Sequence, residues 1–159
     1  LIFTSFRNPT LAEEIGLEST FPLIGYRSVA KTLELTADNA EDIATIVIDN
    51  AEQPLAIDAE TMRAIEEFSA AVDELTATAV RSVVERDYDL TIECRSLYRR
   101  IVDREFELLT DLPPMDNLPL LQVREVLVSL AHTAQYAMRN VEIASNLALS
   151  VSSGYVTLE

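Results

Sequence analysis

A chain of 159 residues can bury one good hydrophobic core but not two of ordinary size. Its 27 acidic residues against 12 basic ones give a formal net charge of -15, a surface that repels phosphate backbones and anionic lipid headgroups. That balance speaks against nucleic acid binding and membrane-surface binding by this segment, and the scarcity of glycine (three residues) favours long regular elements over many turns.

Lys31 is the lone lysine, the other cations being arginines. A strongly acidic, lysine-poor chain self-repels in dilute buffer, which fits either a protein adapted to a salty cytoplasm, as in a halophilic archaeon, where the repulsion is screened, or simply a soluble acidic protein. Cys94 has no second cysteine to pair with, so a reducing compartment and a structural thiol are expected. No apolar run reaches the roughly 18 to 20 residues of a membrane span, and no signal peptide is visible. A cytoplasmic location without membrane insertion is the expectation.

Residues 1–21 resemble the end of a preceding helix followed by a short connector. Leu1 to Phe6 has the pattern of a final amphipathic turn or two, and the absence of a starting Met suggests that sequence precedes it. Asn8-Pro9 is a good helix start and Gly16 a good stop, giving a connecting helix over Pro9 to Ile15. From Pro22 nothing breaks a helix until Gln53-Pro54. Along that first long helix Val29, Leu33, Thr36, Ala40, Ile43 and Val47 step by four and three, the spacing of a packing seam.

Asp58 is placed to cap a second helix over Ala59 to Glu85, with Met62, Ile65, Val72, Leu75, Ala79 and Val83 facing inward. A turn is expected around Arg86 to Asp89. The third helix then runs to about Leu109, carrying Leu90, Cys94, Leu97, Ile101 and Leu108. Pro113-Pro114 marks the clearest loop, after which a last helix extends from about Leu118 to Ser150. Its seam is the most regular in the chain: Val123, Leu127, Leu130, Ala134, Ala137, Val141, Ala144 and Ala148. Residues 151–159 are expected to form a tail or short strand. Four long helices joined by short loops predict an all-α antiparallel bundle over residues 22–150.

The first and last helices resemble one another at an offset of 97 positions. Matches fall at Val29/Val126, Leu33/Leu130, Thr36/Thr133, Ala37/Ala134, Ala40/Ala137, Ile46/Ile143 and Ala51/Ala148. The acids Glu34, Asp38 and Asp42 of the first copy correspond to Ala131, Gln135 and Arg139 of the second. With Glu41 and Asp49 they cluster on the arc opposite the expected seam. Like charges one turn apart cost an isolated helix roughly 0.2 to 0.5 kcal/mol per pair. A solvated acidic face tolerates that cost. A cation site would offset it, with carboxylates offered from one helical face and a second helix or subunit completing the shell. The single histidine, His132, has no ligand partner at helical spacing and is expected to be structural or on the surface.

The run Leu33-Glu34-Leu35-Thr36-Ala37-Asp38-Asn39-Ala40-Glu41-Asp42-Ile43-Ala44 resembles the signature helix of the PhoU family of phosphate-uptake regulators, whose members carry Leu-Glu-Arg-x-x-Asp-His-x-x-Asn-Ile-Ala. It keeps Leu33, Glu34, Asp38, Ile43 and Ala44, and departs at Leu35, Asn39 and Asp42. The resemblance covers about residues 22–150. It implies a bundle of repeated three-helix units, here with a decayed second signature, and a homodimer. It also implies a negative regulator, not an enzyme, that restrains phosphate import by contact with the phosphate-specific ABC transporter or its signalling components. Such proteins bind iron or zinc clusters, so Glu34 and Asp38 would be metal ligands, with Asp42 at the Asn position. Some archaeal members carry an upstream AbrB-like DNA-binding domain, which leaves an adaptor role as the alternative. A bundle enzyme has little to recommend it, because the expected seams are nearly all aliphatic and hold no nucleophile and base.

Overall fold

The computed structural model describes residues 21–52 and 57–153. They form four helices: α1 (Phe21–Asp49), α2 (Ala59–Glu85), α3 (Tyr88–Thr110) and α4 (Asn117–Ser153). No strand occurs among the described residues, and no helix among them is long and apolar enough to cross a membrane. The expected connecting helix over Pro9 to Ile15, the end of a helix before it and the last residues of the expected tail lie outside the described residues. The start of that tail is corrected: α4 continues through residues 151–153, three beyond the boundary expected from sequence, since nothing at Ser150 breaks a helix.

Local chemistry sets the helix ends. Asp58 takes extended backbone angles and its carboxylate accepts from the backbone N–H of Glu60 (2.9 Å) and Thr61 (2.8 Å) and from the Thr61 hydroxyl (2.7 Å). These bonds satisfy donors that the first turn of α2 would otherwise leave open. The connection from α2 to α3 is tighter than the sequence suggested. Arg86 alone adopts the left-handed conformation (φ 53°, ψ 39°), and Asp87 immediately caps α3 through Asp89 N–H at 2.8 Å. A positive φ without glycine is uncommon. Here the Asp87 N–H closes on the Ser82 carbonyl at 3.2 Å and the Arg86 guanidinium reaches the Tyr26 hydroxyl at 3.1 Å.

The apolar core belongs to α2, α3 and α4. Phe68, Val72, Leu75 and Ala79 of α2 meet Cys94, Leu97, Ile101 and Leu108 of α3 and Val123, Leu127, Leu130, Ala134, Ala137 and Val141 of α4. The expected seam of α4 is therefore buried along nearly its whole length, with Ala148 half-buried at its end. On α2 the inward row includes Phe68, which the sequence-based row omits, whereas Met62 stays exposed because that row passes from Thr61 to Ile65 and Phe68 at the helix start.

The first helix attaches differently. α1 runs antiparallel along α4, and Val29 joins Val83, Ala144 and Leu147 in a small separate cluster. Gly25 packs against α4: a Cβ there would meet the Ile143 methyl at 3.0 Å, which favours a glycine inside the helix despite a cost of about 1 kcal/mol. The buried row of α1 is Val29, Thr32, Asn39 and Ile46, with Thr36 and Ile43 half-buried between them. The expected seam through Leu33, Ala40 and Val47 is thus corrected by one residue: Leu33 is 41% exposed and Val47 62% exposed. The reason lies on α4, whose facing row offers polar groups that Thr32 and Asn39 can bond.

Candidate functional site

Two polar pairs tie α1 to α4. The Asn39 side-chain amide donates to the Thr133 hydroxyl at 3.1 Å, and Thr133 donates onward to the Ser129 carbonyl at 3.0 Å. One heptad back along α1 and one heptad forward along α4, the Thr32 hydroxyl lies 2.5 Å from Asn140 Oδ1 and 2.7 Å from the Val29 carbonyl oxygen. Its single proton serves one of those acceptors at a time. Asn140 is 2% exposed, so this is a dry polar seam in which an unmatched partner is costly. Sequence reasoning singled out Thr36, Thr133 and the apolar positions around them but not this ladder. Its signal was a heptad spacing of polar residues in both helices, Thr32 with Asn39 and Thr133 with Asn140.

The acidic row stands on the opposite side of α1. Glu34, Asp38 and Asp42 are all exposed, and Glu34 Oε2 lies 3.0 Å from Lys31 Nζ, a surface ion pair worth about 0 to 1 kcal/mol. Their counterparts on α4 bring no ligands: Ala131 is buried, Gln135 is exposed, and the exposed Arg139 guanidinium sits 5.5 Å over the Tyr136 ring. Among the described residues no three His, Cys, Asp or Glu side chains gather into a group that could hold a metal ion. A single file of carboxylates along one exposed face does not by itself fit the closed, multidentate shell of an iron or zinc cluster. What α1 presents is an exposed acidic ridge.

The remaining reactive groups are held by structure. Burial pushes the Cys94 thiol up to about 11, with the neighbouring Glu93 charge adding to the effect, so the thiolate that would act as nucleophile is suppressed at neutral pH. His132 is exposed and stacks at a tilt on Tyr136, ring centres 6.4 Å apart. An open groove where the start of α2 meets the end of α3 is lined by Asp58, Thr61, Arg104, Glu107 and Asp111. There Asp58 is committed to its cap and Arg104 to Glu107 at 3.0 Å.

These features define an all-α bundle whose distinctive chemistry is a charged helical surface and a polar helix junction. No protein family, curated protein or solved structure matches the chain.

Proposed function

We propose that the chain is a PhoU-like negative regulator of phosphate uptake that works by protein contact in the cytoplasm, its partner being the phosphate-specific ABC transporter or a signalling component attached to it. The observation that carries this reading is the pairing of the two look-alike helices. The helix with the signature-like run, Leu33 to Ala44, lies antiparallel against its counterpart in α4, joined through Asn39 to Thr133 and Thr32 to Asn140. A contact role also suits a molecule whose buried polar groups are spent on holding helices together and whose charges lie on an open face.

The test is phosphate uptake by cells lacking the gene, grown in phosphate-rich medium. Uptake that stays high in the deletion and returns to its low level on complementation is the expected result. Unchanged uptake in the deletion would remove the phosphate reading and leave the adaptor role, in which the same bundle serves another transporter or a DNA-binding protein.

A further inference from the structure

On a chain with a net charge of -15, the outer face of α3 is out of character. Tyr88, Ile92, Arg95, Arg99, Val102 and Phe106 step by four and three, fall within one narrow arc of the helix and are all exposed. The large side chains are well out in solvent, Ile92 by 55% and Phe106 by 70%. Within this row there are two cations and no acid, and neither arginine has an ion-pair partner among the described residues. Acids stand on its flanks, Asp89, Asp103 and Glu107 to one side and Glu105 to the other, and Glu107 is taken by Arg104.

The fold does not call for these side chains. α3 meets α2 and α4 through Cys94, Leu97, Ile101 and Leu108 on its opposite side. A single exposed apolar residue is ordinary, but four in one file with two free arginines between them have the make-up of a contact centre, where aromatic residues and arginine are enriched. The row spans 18 residues, about 27 Å of helix, and its spacing is that of a face made to lie along another helix. Its charge specifies that helix further. Two desolvated guanidinium groups need carboxylates opposite them, and the apolar groups before and after them need apolar groups.

We propose that the outer face of α3 is a docking face for an amphipathic helix of another protein, apolar towards its ends and carrying Glu or Asp at its middle. Tyr88 and Ile92 hold one end of that helix, Val102 and Phe106 the other, and Arg95 and Arg99 pair with its carboxylates. The inference stands on this face alone: it holds whichever system the partner belongs to, so phosphate uptake that is unchanged in the deletion leaves it standing, and its own failure leaves the phosphate reading untouched.

The test uses the full chain and a labelled synthetic helix of three heptads, with leucines along one face and glutamates beside its central turns, and two controls: the same peptide with lysines for the glutamates, and a scrambled one. Binding is read by fluorescence anisotropy at about 0.15 M salt, where the Debye length is about 8 Å and close charges outweigh the net charge of the chain. Net charge alone favours the lysine peptide; the proposed face requires the glutamate peptide to bind tighter. Arg95→Glu with Arg99→Glu should weaken the glutamate peptide about tenfold or more and strengthen the lysine peptide, and Phe106→Ala should weaken both. Arg63→Glu with Arg81→Glu, the same charge change on α2, should leave the preference intact. A lysine peptide that binds the wild type tighter, a scrambled peptide that binds as well, or equal losses in the α2 control would each overturn the proposal. So would a wild-type dimer that Arg95→Glu with Arg99→Glu dissolves, which would give the face to a second copy.

Discussion

Asn39 and Thr133, 94 residues apart in the chain, meet across the junction of the first and last helices in a hydrogen bond of 3.1 Å. With Thr32 and Asn140 one heptad away, they set two buried polar pairs into this junction beside the apolar cluster of Val29, Ala144 and Leu147. Such a seam selects one register of α1 on α4, because sliding either helix leaves buried amides and hydroxyls unmatched.

Breaking one side of that ladder should therefore cost more than replacing both. Thr32→Val strands the Asn140 side-chain oxygen in a dry interface, whereas the Thr32 hydroxyl keeps the Val29 carbonyl if Asn140 is lost, and Thr32→Val is expected to lose about 1 to 3 kcal/mol of stability in urea unfolding. Adding Asn140→Leu should recover a good part of that loss, since neither partner is then unsatisfied. Strictly additive losses in the double-mutant cycle would show that the two groups are not coupled.

The two copies of the repeat should respond differently to the same change. Leu130→Ala empties part of the core between α2, α3 and α4 and is expected to cost about 2 to 5 kcal/mol. Leu33→Ala, its counterpart on the open face of α1, should stay within about 0.5 kcal/mol. Equal losses at the two sites would place Leu33 in a core.

The acidic ridge makes a prediction of its own sign. Asp38→Lys removes like-charge neighbours at Glu34 and Asp42 and places a lysine one turn after Glu34. It should stabilise the protein by roughly 0.4 to 1 kcal/mol in low salt. If these carboxylates instead held iron or zinc, the substitution would remove bound metal in elemental analysis and lower the melting temperature.

The cap of α2 ties stability to acid. The backbone N–H of Thr61, then its hydroxyl, holds the Asp58 carboxyl below its ordinary range. A carboxylate depressed in the folded state contributes stability that is fully present above its unfolded value and disappears as pH falls through the folded one. Thermal melts of wild type and Asp58→Ala should differ at neutral pH and converge under acid conditions. A gap that persists unchanged into strong acid would assign the cap's effect to something other than the ionised carboxylate.

Those residues also show where the sequence was legible. The row of α4 was visible because its packing face is apolar, uninterrupted and heptad-spaced. The start of α2 was visible because Asp58 is a local signal. The seam of α1 was not, since Leu33 and Ala40 form the more hydrophobic row and nothing nearby in sequence says that Thr32 and Asn39 have partners on α4. Only the fold supplies those partners. The same displacement hid the exposure of Leu33, Ala40 and Val47, which the sequence assigns to a seam. The acids at Glu34, Asp38 and Asp42 were correctly placed away from the packing side, but a ligand set needs convergence from several elements, which spacing on one helix cannot report.

Native-state hydrogen exchange tests the division between the apolar core of α2, α3 and α4 and a first helix held by polar bonds. Amides of Phe21–Asp49 should exchange together through an opening of lower free energy than that of α2, α3 and α4. Thr32→Val should lower the protection of α1 further while leaving the unfolding of the other helices as a unit. Exchange of all four helices at one common free energy, unchanged by Thr32→Val, would contradict this account.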